Sequence, residues 1–168
     1  MIKACATLSL FLFVALCDLA PARADDACAS FKWPLTREQG WFQAEHPTIS
    51  SGGTLAKAEG AVTLTLSPVE GVAFAVSPDH KPDAGSFAAT VSIATIEENG
   101  IYQVTLSDEG WIDVIQARAS IKSSDFSGKK GCAGMRKSVR FNLKAGNAIL
   151  QISGVKANQI NVAIGPAS

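Results

Sequence analysis

Hydrophobic and polar positions alternate along most of this chain, and the period of the alternation changes once, near residue 50. Ahead of that point, Phe31 to Ala44 (F-K-W-P-L-T-R-E-Q-G-W-F-Q-A) has helical spacing, with Trp33, Leu35, Trp41 and Phe42 supplying one apolar face. Thr36 and Gln39 stand at capping-box spacing with Pro34 just ahead, so one short helix is predicted here although Gly40 weakens it. His46-Pro47 ends that segment, and Ser50-Ser51-Gly52-Gly53 reads as a loop.

From there the period is 2. Ala61 to Leu66 places Val62, Leu64 and Leu66 on one face and threonines on the other, and Val72 to Val76 reads as a short apolar strand. Ser77 to Gly85, with two prolines and a glycine, is a turn or longer loop. Phe87 to Ile96 is a long strand with Val91, Ile93 and Thr95 on one side. Asn99-Gly100 is a strong hairpin signal leading into Ile101 to Leu106. Trp111 to Gln116 follows, with Ile112 and Val114 facing one layer and Trp111, Asp113 and Ile115 the other, and a short strand is expected at Ala117 to Ile121. A glycine-punctuated loop then leads to Ser138 to Leu143, where Val139, Phe141 and Leu143 alternate with Ser138, Arg140 and Asn142. Ala145-Gly146-Asn147 turns the chain into Ala148 to Ser153, and Asn158 to Ile164 closes it with Ile160, Val162 and Ile164 on one side. Eight or nine short strands at this spacing, with no helices between them, predict an all-β fold. The reading is a single antiparallel β-sandwich, jelly-roll-like, with one short N-terminal helix.

The first 24 residues change the picture of where the chain works. Lys3, the apolar run Leu8 to Leu16 and the Ala22-Arg23-Ala24 site have the layout of a cleaved signal peptide, so residues 25–168 are expected to form one exported domain. The run is too short for a membrane span, which takes about 20 apolar residues. Val14-Ala15-Leu16-Cys17 stands where a lipobox would, but Leu16 occupies the place of its small residue. Removing Lys3 and Arg23 from 15 basic residues leaves 13, and removing Asp18 from 15 acidic ones leaves 14. A chain so balanced argues against nucleic acid as partner. Of four cysteines, Cys5 and Cys17 belong to the leader, leaving Cys28 and Cys132 to pair in an oxidising compartment, periplasmic or secreted. A redox pair is the rival reading, but there is no C-x-x-C spacing.

Candidate chemistry concentrates between residues 111 and 140. Lys122, Lys129, Lys130, Arg136, Lys137 and Arg140 form a basic cluster opposed locally by Asp125 alone, with Gly128, Gly131 and Gly134 permitting tight turns that present backbone amides. The cluster suits a carboxylate, a phosphate or an acidic polysaccharide; the structural alternative is a solvated loop whose arginines pair with Asp113 or Glu109. Trp111 beside Asp113 on one strand face suits a sugar, the ring stacking and the carboxylate accepting hydroxyls; the alternative is a core tryptophan and an aspartate that holds Arg140. His46 and His80 lack metal-ligand spacing, and an iron site would need both to converge with a carboxylate. The acidic pairs Glu97-Glu98 and Asp108-Glu109 sit in turns. No catalytic residue, metal or cofactor is assigned.

Cys28 with Trp33-Pro34-Leu35, Y-Q-V-T-L-S at 102–107, W-I-D-V at 111–114, F-S-G-K-K-G-C-A-G-M-R-K-S-V-R-F at 126–141 and L-Q-I-S-G at 150–154 resemble a group of small exported alphaproteobacterial proteins without established function. Looser similarity, on Y-x-V-T-L and the final L-Q-I-S-G, links the chain to pre-peptidase C-terminal domains and related jelly rolls. The first resemblance implies the exported compartment, and the second the sandwich. The label homogentisate 1,2-dioxygenase, sometimes carried by the first group, implies a much longer cytoplasmic iron enzyme with several functional histidines. Two isolated histidines behind an export signal do not support it, and no catalytic residue carries over. The expected function is non-catalytic binding of an anionic or glycan ligand, or of an envelope partner, through Lys129, Lys130, Arg136, Lys137 and Arg140 with Trp111 and Asp113. A structural or protein-interaction module and a metal-dependent enzyme are the alternatives.

Overall fold

The computed structural model describes residues 25–167; the expected leader, residues 1–24, lies outside the described residues. Two short helices, α1 (Asp25–Ala29) and α2 (Thr36–Gln43), precede the strands β1 (Thr48–Ser50), β2 (Thr54–Lys57), β3 (Gly60–Thr65) and β4 (Ser67–Pro68). Then come β5 (Phe87–Ile96), β6 (Gly100–Leu106), β7 (Trp111–Gln116) and β8 (Ala119–Ser120). The last four are β9 (Ser123–Gly128), β10 (Lys137–Leu143), β11 (Gly146–Val155) and β12 (Gln159–Pro166). Among the described residues they form two sheets. Sheet A runs β1-β3-β12-β6-β10-β9, and sheet B runs β2-β5-β11-β7-β8, with β4 on β5.

The alternation explains why the sheets stack. Val62 and Leu64 of β3, Val104 and Leu106 of β6, Phe141 and Leu143 of β10 and Val162 of β12 meet Val91, Ile93, Val114, Leu150 and Ile152 of sheet B in one buried cluster. Each side chain of this size is worth about 1.5–3 kcal/mol when fully buried. The inner strands β3-β12-β6-β10 and β5-β11-β7-β8 follow the order of a jelly roll, the chain crossing between sheets at most connections. The fold class is therefore an all-β sandwich, as the alternation predicts, with two qualifications. β1 pairs with β3 and β2 with β5 in parallel, and α1 is a second helix.

Other local expectations are corrected. Asn99-Gly100 and Ala145-Gly146-Asn147 do not close hairpins: β5 and β11 belong to sheet B, β6 and β10 to sheet A, so both turns are corners between layers. They are tied together, since Ala145 N donates to Asn99 Oδ1 at 2.8 Å. Val72 to Val76 forms no strand, because the amides of Ala75 and Val76 donate to the side chain of Gln151 instead of a ladder. The Ala117 to Ile121 strand shrinks to Ala119–Ser120. Thr95 points outward and Ile96 inward, because a bulge opposite Gly146 and Ala148 inserts one residue in β5 and inverts its facing. The capping box does not form: Leu35 is the N-cap residue of α2, and it makes no side-chain cap bond.

The N-terminal segment lids the outer face of sheet A. Phe31, Trp33 and Leu35 pack with Cys132 and Met135 in a second cluster, and the Cys28–Cys132 disulfide spans a sequence separation of 104 with Cα atoms 4.7 Å apart. Trp33 Nε1 donates to Ser138 Oγ at 3.2 Å, and Ser138 Oγ lies 2.9 Å from Thr105 Oγ1, so these polar side chains of sheet A are paired under the lid, while Gln103 Nε2 on the same face is buried without a partner. Trp41 lies against Gly165, where a Cβ would come within 2.8 Å of its ring.

The segment after β4 performs the same office on sheet B. Gln151 is the cross-strand neighbour of both Thr90 on β5 and Asp113 on β7, so these three residues form one row across the outer face. Thr90 Oγ1 donates to Ala73 O, and Gln151 Oε1 accepts from Ala75 N and Val76 N while its Nε2 donates to Val76 O. The Asp79 backbone amide acts on the Asp113 carboxylate, favouring its charged form. Residues 73–80 thus form a strap pinned by a polar row contributed by three strands.

Candidate functional site

The strap ends where the chemistry gathers. Trp111 opens β7 on the outer face of sheet B, and His80 stacks on it with ring centroids 4.0 Å apart. The indole lies over Gly154, whose φ of 70° marks a bulge in β11; a Cβ there would meet Trp111 Cδ1 at 3.1 Å. Lys137, the first residue of β10, reaches across the mouth between the sheets. Its Nζ donates to Gly110 O at 2.9 Å and sits 4.1 Å from the Trp111 ring centroid, within cation–π range.

The other side of Lys137 faces a recess of about 220 Å³ lined by Glu109, Phe126, Gly128, Arg136 and Lys137. Phe126 is cross-strand neighbour to Val139, so it points to the inner side of sheet A, yet it lies on the edge strand β9 and is 61% exposed. Trp111 is 43% exposed. Two of the largest exposed apolar side chains therefore flank one lysine. Arg136 Nη2 pairs with the exposed Glu109 at 3.3 Å, leaving further guanidinium donors for a second acceptor.

Burial shapes the charges. The Lys137 ammonium is pushed below the ordinary lysine pKa, first by burial and then by Arg136, against the opposite pull of Glu109 and Asp113. Asp113 is pushed above the ordinary aspartate value, first by burial and then by the Asp79 carboxylate; the Asp79 amide, Lys137 and His80 work the other way. Asp113 Oδ2 and Ser153 Oγ are buried without a hydrogen-bond partner in this structure.

The basic cluster divides. Arg136 and Lys137 share the recess, while Arg140, three residues on, faces outward from sheet A; there its Nε donates to Gln103 Oε1 at 3.1 Å and its guanidinium lies 4.1 Å from the Trp33 ring centroid. Asp113 is on the other sheet and does not hold Arg140. Lys129 and Lys130 sit in the connecting loop; Lys129 N donates to Arg136 O. Lys32, from the N-terminal segment, approaches from a direction the sequence does not suggest, bridging Asp125 at 2.6 Å and standing 5.4 Å from the Phe126 ring centroid. Phe126 itself escapes sequence reasoning because β9 lacks alternation.

His46 and His80 lie on opposite outer faces. His46 Nε2 is 3.1 Å from Thr63 Oγ1 on sheet A, and His80 is stacked on sheet B. Among the described residues no three His, Cys, Asp or Glu side chains are grouped to hold a metal. No described helix is long and apolar enough to cross a membrane. No protein-family model matches the chain, and no curated protein matches it.

Proposed function

We propose that this is an exported, non-catalytic binding module whose ligand is an acidic glycan, a sugar chain bearing carboxylates, held in the recess of Phe126, Arg136 and Lys137 beside Trp111. The observation that carries this reading is the placement of two exposed aromatic rings on either side of one lysine, with a second cation adjoining. Sugar rings present apolar faces that pack on aromatics, and carboxylates take paired donors from arginine. Lys137, partly desolvated, gains from an anion more than an exposed lysine would. Export and a periplasmic or secreted site of action are supported by the Lys3, Leu8–Leu16 and Ala22–Ala24 pattern, and the Cys28–Cys132 bridge is of the kind that persists in oxidising compartments. The resemblance to small exported alphaproteobacterial proteins fits the same location.

Calorimetric titration with a homogalacturonan oligosaccharide, a chain of uronic acids, tests the reading against its methyl-esterified, uncharged form. Binding is expected for the acid alone and should weaken with salt. Arg136→Ala or Lys137→Met should lower affinity about tenfold or more, the worth of one charge-assisted contact. Equal affinity for both forms, or none for either, rejects the acidic-glycan reading and favours a protein partner for the same edge.

A further inference from the structure

The strap leaves part of sheet B uncovered. Beside the Thr90–Gln151–Asp113 row, the next outward row is Ser92, Ile149 and Ile115, again cross-strand neighbours. It floors a mostly apolar cleft of about 480 Å³, walled by Ala75 of the strap on one side and by the β7–β8 turn, Ala117 and Arg118, on the other. That volume lies within the range of small-molecule sites, about 300–1,000 Å³. The floor spans three strands, roughly 10 Å at the usual inter-strand spacing.

The turn is the unusual part. Ala117 has φ 49° and Arg118 φ 65°, so two consecutive residues with side chains are left-handed. A two-residue hairpin loop with both positions left-handed is the type I′ turn, for which Asn-Gly is the favoured sequence because it carries the least steric cost. Here the chain keeps a strained alanine and an arginine. Arg118 lines the cleft, and it makes no hydrogen bond or ion pair with any described residue. It is the cleft's sole cation among its described lining residues, above an isoleucine floor.

We infer that this cleft binds a small monocarboxylate with an apolar body, of the medium-chain fatty acid class, whose chain lies on Ile149 and Ile115 and whose carboxylate pairs with Arg118. The occupant follows from charge complementarity and size: one unpaired guanidinium calls for one anion, apolar walls call for a hydrocarbon, and the strap closes the cleft to a long polymer on one side. The strained turn holds Arg118 at the rim, a position that an Asn-Gly turn would leave without a cation. The site lies on the outer face of sheet B, apart from the Phe126 recess, and stands independently of the glycan reading.

The test uses the oxidised chain, residues 25–168, titrated calorimetrically with octanoate, octanol and acetate. Octanoate should bind at least tenfold more tightly than either of the others. Arg118→Ala should abolish that preference, leaving octanoate no tighter than octanol. Ala75→Trp, which fills the cleft from the strap, should abolish binding of octanoate. The double variant Ala117→Asn with Arg118→Gly should raise the melting temperature by relieving the turn while losing octanoate, a combination that a purely structural role for the turn would not produce. Octanoate binding unchanged in Arg118→Ala, or no octanoate binding by the unmodified chain, would overturn the inference.

Discussion

Removing the Cys28–Cys132 bridge by a Cys28→Ala/Cys132→Ala double substitution should destabilise the sandwich by several kcal/mol. The bond joins residues 104 apart in sequence, so in the unfolded chain it closes a loop comprising most of the domain. Chain-entropy reasoning assigns about 4.7 kcal/mol to a loop of about 100 residues. In the native state the segment it holds has its own contacts: Phe31, Trp33 and Leu35 pack with Met135, Lys32 N donates to Ser127 Oγ at 3.1 Å, and Trp33 Nε1 reaches Ser138. These keep the lid in place without the bond, so the effect falls mainly on the unfolded state. We expect a loss of about 3–5 kcal/mol, equivalent to a fall in melting temperature of about 10 °C or more for a chain of this size. Urea unfolding followed by tryptophan fluorescence reads it, with buried Trp33 reporting the lid. The m-value should rise, because the unlinked denatured chain exposes more surface. A change below about 1 kcal/mol with an unaltered m-value would refute the entropic account. So would an early Trp33 transition followed by global unfolding at the original midpoint.

Three further outcomes follow from single positions. Gly165→Ala places a Cβ 2.8 Å from Trp41 Cη2 and should lift α2 from sheet A, costing about 1–3 kcal/mol in thermal or urea unfolding. Gln151→Leu strips the strap of three hydrogen bonds at a buried position; a loss of about 2–4 kcal/mol and faster amide exchange at Ala75 and Val76 are expected. Asp113→Asn should stabilise the protein in a pH-dependent way. The Asp113 pKa is raised on folding, so its favourable contribution is fully present below the ordinary value of 3.8 and is lost as pH rises through the folded value. The variant's advantage in urea unfolding should therefore be greatest near neutral pH and shrink on acidification; an advantage that grows with acid would contradict the direction of the shift.

Alternation is legible wherever one face of a strand is dry. Val62 and Leu64, Val139, Phe141 and Leu143, and Ile160, Val162 and Ile164 all turn inward as their spacing requires. The edge strands are illegible for the converse reason. β9 (S-S-D-F-S-G) is mostly solvated, and β1 and β2 are too short to show a period. Asn99-Gly100 announces a tight turn, but turn chemistry does not say whether the flanking strands lie side by side or on opposite layers. Nearness in sequence also misleads within a strand. Lys137 and Arg140 differ by three, an odd step, so the pleat sends them to opposite sides of sheet A. The Thr90–Gln151–Asp113 row could not be seen before register was known, since its members come from three strands. Arg118 carries no turn signature at all; its left-handed backbone is a property of the fold it closes.

Docking of an acidic sugar chain at the Lys137 edge is to be read from an amide chemical-shift map of the isotope-labelled protein. On addition of the homogalacturonan oligosaccharide, we expect the largest shifts at residues 109–111, 126–128 and 136–137, with the Trp111 indole signal moving alongside them. Shifts centred elsewhere, or a spectrum unchanged at saturating sugar, would contradict the account.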